Sequence, residues 1–246
     1  MSHHLIEARD LHYTYPDGTP GLGGVSFRIE HGQSVGVVGA NGAGKSTLLL
    51  LLTGILTPSL GEIYIGDARL TKKNRDRIGG RLGMVFQDPD DQLFMSRVGD
   101  DVAFGPINQG LDPDRVSRRV TEALQAVGIS HLKNRPPFKL SAGEKRAAAI
   151  ATVLAMEPDM LLLDEPSSWL DPKARRRLIK ILQGFSHTKI ITTHDLDLVL
   201  EICQRTIVLS RGRVLADGPT ASLLTDRKLL DEAGLELPLS LHPAAG

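Results

Sequence analysis

Nine consecutive residues carry the plainest chemistry in the chain. Gly39-Ala40-Asn41-Gly42-Ala43-Gly44-Lys45-Ser46-Thr47 fits the pattern G-x-x-x-x-G-K-[ST] without a mismatch. Its glycines let backbone N–H groups turn inward around phosphate oxygens without Cβ clashes. A helix that follows points its positive end at the same anion. Lys45 then supplies a point charge to the terminal phosphates, and the Ser46 hydroxyl can ligate Mg²⁺. Taken alone, the nine residues predict a nucleotide-phosphate site of the kind kinases, GTPases and ATPases share. No NKxD run points to guanine selection.

A second cluster lies far along the chain. The apolar run Leu161-Leu162-Leu163 ends in Asp164-Glu165-Pro166. An acid at such a strand end can sit beside the phosphate loop and hold Mg²⁺, directly or through water, which makes Asp164 the metal candidate. Glu165 would then face the space beyond the γ-phosphate, where it can orient and deprotonate water. A solvated pair of strand-end acids is the plain alternative for these two residues alone.

Both clusters need strands and helices to hold them. Short β-type runs fill residues 5–8, 24–29 and 34–38, separated by the turns Pro16-Asp17-Gly18 and His31-Gly32. The last of these is apolar on both faces, as a buried parallel strand should be, and passes through the glycine loop into a helical run at 46–52. Strands follow at 63–65 and 82–86. From 100 to 156 the pattern turns mostly helical, with spaced apolar residues over 115–127, a stop at Gly128 and an Ala-rich run over 141–155. The α/β alternation then returns: strands at 160–163, 189–192, 206–209 and 213–216, and helices at 172–183 and 196–203. One or two short helices are expected over 219–234, then irregular chain. The organisation is an α/β core interrupted by a helical insertion.

Composition narrows the class. The 246 residues contain 29 basic and 29 acidic side chains, so non-specific nucleic-acid binding through clustered positive charge is not expected. The single cysteine, Cys203, permits no intramolecular disulfide and no CxxC metal site. No apolar stretch reaches the ~18 residues a spanning helix needs, and no signal peptide is expected from the first residues. A role at a membrane would require a partner there.

Between the two clusters lies Leu140-Ser141-Ala142-Gly143-Glu144. Here the sequence resembles the ATPase domain of ABC transporters, whose signature is LSGGQ, and further elements occur in that family's order. Tyr15 looks like the aromatic that stacks on adenine. Gln87 looks like the glutamine that senses Mg²⁺ and the γ-phosphate. Ser168-Trp169-Leu170-Asp171 resembles the dimer-contacting loop, and His194 looks like the switch histidine. The resemblance covers about residues 4–218. It implies a P-loop NTPase core (RecA-like) with an N-terminal antiparallel β subdomain and an inserted α-helical subdomain at about 88–156. Residues 1–218 would form the ATPase domain and 219–246 a short tail.

Two departures stand out: Ala142 replaces a glycine and Glu144 a glutamine. Ser141-x-x-Glu144 also reads as a helix capping box, with Ser141 as N-cap. A carboxylate at 144 would oppose a bound phosphate unless it turned back into the cap or paired with Lys145 or Arg146.

The stretch from Phe86 through Gln87, Asp88, Pro89, Asp90, Asp91, Gln92 and Leu93 to Phe94 resembles the ATPase subunits of energy-coupling-factor importers, especially the cobalt/nickel type. That resemblance implies ATP and Mg²⁺ as cofactors and a homodimer, or a heterodimer with a paralogous ATPase. Each ATP would lie on one chain's phosphate loop and under the other's Ser141 and Gly143, and Glu165 and His194 would promote attack by water. An integral membrane coupling subunit and a substrate-binding membrane subunit are the implied partners, with no nucleic acid, which places the chain peripherally on the cytoplasmic face of the membrane. The alternatives are a vitamin importer of the same type, another ABC transporter, a soluble non-transport ABC ATPase and a small-molecule P-loop kinase.

Overall fold

Strand-forming residues dominate the first thirty positions and pair as a hairpin. β1 (His4–Thr14) runs antiparallel to β2 (Pro20–Glu30), with several bulges along β1. The turn between them is closed by Asp17, whose carboxylate accepts the Thr19 N–H at 2.9 Å. β3 (Ser34–Val38) is buried at every residue, which fits a strand covered on both faces. α1 (Lys45–Leu52) follows the glycine loop. β4 (Leu60–Ile65) pairs antiparallel with β1, and the two-residue β5 (Ala68–Arg69) extends it before α2 (Arg75–Gly79).

The computed structural model describes residues 4–242. They fall into two units, one made of residues up to 79 and from 187 onward, the other of residues 80–186. In the second unit β6 (Leu82–Val85) pairs parallel with β7 (Met160–Asp164). Between those strands α3 (Val98–Asn108), α4 (Pro113–Val127) and α5 (Ala142–Leu154) pack on one another. Local signals set their ends. Asp112 caps α4 by accepting the Arg115 N–H, Pro113 occupies its first turn, and Gly128 ends it in the left-handed conformation. α6 (Pro172–Gly184) follows β7, again behind an Asp-Pro start.

The first unit then resumes with β8 (Thr188–Thr192), α7 (Leu196–Ile202), β9 (Arg205–Ser210), β10 (Arg213–Pro219), α8 (Thr220–Leu223) and α9 (Arg227–Glu232). β3 pairs parallel with both β8 and β9, and β10 closes the edge antiparallel to β9. A separate antiparallel sheet, ordered β2-β1-β4-β5, completes this unit. The architecture is therefore α/β, with the helical insertion carried in the second unit.

Differences from the sequence reading are small and physical. The second unit is wider than the helical subdomain expected at about 88–156, because β6, β7 and α6 belong to it. β6 ends at Val85 rather than at Phe86. β5 and α2 were not foreseen, since elements of two and five residues carry no readable period. The segment after Gly234, expected to be irregular, makes a short 3₁₀ turn at Leu239–Leu241. There the Asp197 carboxylate of α7 accepts the N–H groups of Leu239 (3.0 Å) and Ser240 (3.1 Å).

Candidate active site

The phosphate loop occupies the turn between β3 and α1, where a buried parallel strand meets a helix N-terminus. Two of its glycines are required by space. A Cβ at Gly39 would come 2.3 Å from the Leu209 carbonyl oxygen. Gly44, at φ +101°, caps α1, and a Cβ there would meet Leu22 at 2.7 Å and the Gly21 carbonyl at 2.8 Å. Lys45 is only 7% exposed, and its ammonium donates to the carbonyls of Gly39 (2.8 Å) and Ala40 (3.2 Å). The charge is thus folded over the mouth of its own loop, where a phosphate would compete for it. Asn41 and Gly42 are exposed, Ala43 is buried, and Ser46 is half-buried one residue into the helix.

Tyr15 is joined to this loop. Its hydroxyl lies 2.7 Å from the Thr47 hydroxyl, and its ring meets Tyr13 edge-on, with centroids 5.0 Å apart. One face of the phosphate-loop helix is therefore tied to the end of the β1–β2 hairpin, a link that no spacing in the sequence shows. His194 follows β8 and is exposed; the next residue, Asp195, caps α7 by accepting the Leu198 N–H at 2.9 Å. A groove of about 300 Å³ runs beside His194–Asp197 and is closed on its other side by Leu235–Leu239. Cys203 takes no part, because burial pushes its thiol up to about 12, which leaves it protonated and inert.

The remaining candidates lie in the second unit. Asp164 ends β7 at 3% exposure, and Glu165 follows at 5%. Glu165 sits at φ +47°, a left-handed backbone rare for a residue with a Cβ and costing on the order of 1–3 kcal/mol. Trp169 is strained in the same way (φ +68°) yet 76% exposed. Ser168 and Leu170 flank it, half-buried, and Asp171 is the N-cap of α6, accepting the Ala174 N–H at 2.8 Å. Trp169 also approaches the signature: a Cβ on Gly143 would lie 3.4 Å from its carbonyl oxygen.

At the start of α5 the capping box is formed in full. The Ser141 hydroxyl accepts the Glu144 N–H, while the Glu144 carboxylate accepts both the Ser141 N–H (2.8 Å) and the Ser141 hydroxyl (3.0 Å). Of the arrangements open to Glu144, the structure takes the cap. The Ser141 N–H, and then its hydroxyl, hold the carboxyl below the usual glutamate range. Ser141 and Ala142 remain exposed. The neighbouring cations go elsewhere. Lys145 pairs with Asp90 at 2.6 Å, and Arg146 donates to the carbonyls of Phe86 (2.6 Å) and Gln87.

Gln87 itself is exposed, on a loop pinned to α5. Gln92 accepts the Phe86 N–H at 3.2 Å and donates to the Ala149 carbonyl (2.9 Å) and the Thr152 hydroxyl (2.7 Å) on α5. Neither Arg146 nor Gln92 was picked out as a site residue from the sequence. The available signal was an arginine immediately before the run Ala147-Ala148-Ala149.

Comparison with known proteins bears on this arrangement. The family model described as ABC transporter matches residues 22–168. The chain belongs to the ABC transporter ATPases. It is 59% identical over 242 residues to a putative ABC transporter ATP-binding protein of Geobacter sulfurreducens, covering 98% of this chain and 97% of that one. It is 48% identical over 237 residues to the energy-coupling factor transporter ATP-binding protein EcfA of Carboxydothermus hydrogenoformans, covering 95% and 87%. Among solved structures it resembles CbiO1 of Clostridium perfringens, part of the ABC transporter complex CbiONQ, with TM-score 0.80 and 38% identity over 96% of this chain and 97% of that one.

The P-loop NTPase fold of these cassettes is thus the fold of this ABC ATPase, which serves as the ATP-binding subunit of an energy-coupling-factor-type transporter and hydrolyses ATP in support of transport. Among the described residues no helix is long and apolar enough to cross a membrane.

Proposed function

We propose that this ABC ATPase powers an energy-coupling-factor importer for cobalt or nickel ions, working as a homodimer or with a paralogous ATPase at the cytoplasmic face of the membrane. A coupling subunit and a substrate-binding subunit in the membrane are its partners. The cargo assignment rests on the Phe86–Phe94 stretch and its likeness to the cobalt/nickel group. The catalytic assignment is carried by one observation: Glu165, a nearly buried carboxylate directly after Asp164, held in left-handed backbone at the end of a fully buried strand. Strain of this kind persists where the surrounding structure imposes it, which suits a group whose position serves chemistry.

ATP is taken up by the phosphate loop. Its backbone N–H groups and Lys45 receive the phosphates, the ammonium exchanging the Gly39 and Ala40 carbonyls for anionic oxygens. At Gly39 and Gly44 a Cβ would collide with backbone, and this lack of room at the two ends of the loop suits a close phosphate cradle. Ser46, Gln87 and Asp164 would hold Mg²⁺. They offer hydroxyl, amide and carboxylate oxygens, few and hard, as that ion prefers. Bound there, the ion supplies neutralisation of phosphate charge. Tyr15 packs toward the base, Glu165 orients and deprotonates the attacking water, and His194 contacts the transferred phosphate.

Ser141, Ala142, Gly143 and Glu144 are offered to the nucleotide of the partner ATPase, with Ser168, Trp169, Leu170 and Asp171 at the same contact. Because Glu144 is turned back into its cap, the first-turn N–H groups of Ala142 and Gly143 are what α5 offers an anion, while the Ser141 hydroxyl would have to exchange the Glu144 carboxylate for it. Loss of the γ-phosphate weakens this bridge and lets the pair open, which is how hydrolysis does work on a membrane partner.

Glu165→Gln tests the reading. The variant should bind ATP, accumulate as a nucleotide-bound dimer and hydrolyse roughly 10²–10⁴-fold more slowly, as loss of a general base implies. Turnover near that of the unaltered protein counts against the assignment. Uptake of cobalt, nickel and vitamins by the complex reconstituted with its co-purifying membrane proteins decides the cargo.

A further inference from the structure

Arg146 is the bulkiest of the fully buried side chains, at 0% exposure, and it carries a charge. Removing a guanidinium from water costs several kcal/mol, and an apolar residue of similar volume would serve packing as well or better. What the site receives in return is geometry. Nη1 donates to the Phe86 carbonyl at 2.6 Å and Nη2 to the Gln87 carbonyl, so the planar fork straddles the peptide that joins these two residues. Nε is buried without a partner. A buried donor left unpaired calls for a reason beyond packing.

Three ties join the 86–92 loop to α5: Arg146, Gln92 and the Lys145–Asp90 pair. Only Arg146 grips the backbone of Gln87 itself. The same helix begins at the Ser141 cap, five residues away and on the same rigid rod. Any axial shift of α5 therefore carries the Gln87 peptide with it. The guanidinium is also attracted by Asp164, Asp88 and Glu165, which offsets part of the pull of burial on its proton.

We propose that Arg146 is a positioning residue for hydrolysis: its buried fork, closed on the Phe86 and Gln87 carbonyls, transmits the position of the signature helix to Gln87. This deepens the reading of Glu165 and Gln87 given above and rests on it. A positioning role of this kind acts on the chemical step more than on nucleotide affinity.

The test uses the full-length chain and steady-state ATP hydrolysis with Mg²⁺. Arg146→Met keeps the volume and removes both the fork and the charge, and Arg146→Lys keeps the charge without a fork that can span two carbonyls. For Arg146→Met, kcat should fall at least about tenfold with KM for ATP within about twofold. Arg146→Lys, which cannot span both carbonyls, should also lose part of kcat at unchanged KM. The inference is overturned by a folded Arg146→Met whose kcat matches the parent, or by a change confined to KM. If Arg146→Met does not fold, Arg146→Lys decides alone: lowered kcat at unchanged KM supports the role, and unchanged kcat overturns it. Glu165→Gln run alongside separates the two claims, since normal turnover there sinks the catalytic reading whatever Arg146 does.

Discussion

Alanine at position 141 removes the acceptor that satisfies the Glu144 N–H and the hydroxyl that Glu144 receives in return. Loss of a serine N-cap costs ~1 kcal/mol, within a range of about 0.5–2. For a chain of this length 1 kcal/mol corresponds to a fall in Tm of about 2–4 °C. Glutamine at 144 should cost much less, because its amide oxygen can still accept the Ser141 N–H and the box is retained.

The two variants also differ in pH response. Glu144 titrates below its ordinary 4.5 in the folded chain, held down first by the Ser141 N–H. Its contribution is therefore present above the ordinary value and fades as pH falls through the lowered one. Thermal unfolding from about pH 7 to about pH 3 should show the gap between the parent and Glu144→Gln narrowing as acid is added. Most other titrating groups cancel in that difference. The capping argument fails if Ser141→Ala melts with the parent, or if the gap widens on acidification.

Two other outcomes follow from contacts away from the signature. Tyr15→Phe removes the 2.7 Å hydroxyl contact with Thr47 and leaves the ring, so stability should drop by about 1 kcal/mol while nucleotide affinity changes little if the ring is what meets the base; calorimetric titration with a non-hydrolysable ATP analogue measures the second half. Asp197→Ala deprives the Leu239 and Ser240 N–H groups of their shared acceptor, and hydrogen exchange at those two amides should accelerate about tenfold, the equivalent of ~1.4 kcal/mol, with amides of β3 unaffected.

The glycine loop, the acids at the end of β7, the start of α6 at Pro172 and the capping box of α5 were all legible from sequence. Each depends on residues within a few positions of one another, where spacing and backbone geometry are nearly the same thing. Glu144 shows the limit of that reading. Its alternatives were all visible, and the structure takes the cap, whose partners lie three positions apart and meet with little loop-closure entropy. Only the tertiary structure decided where the other cations go. Lys145 reaches Asp90, 55 positions away, and Arg146 reaches Phe86, 60 positions away. It likewise decided that Tyr15 is joined to Thr47 and that the tail returns to Asp197. Such contacts form when packing brings distant segments to a common surface, and hydropathy or spacing along the chain carries no record of which segments will meet.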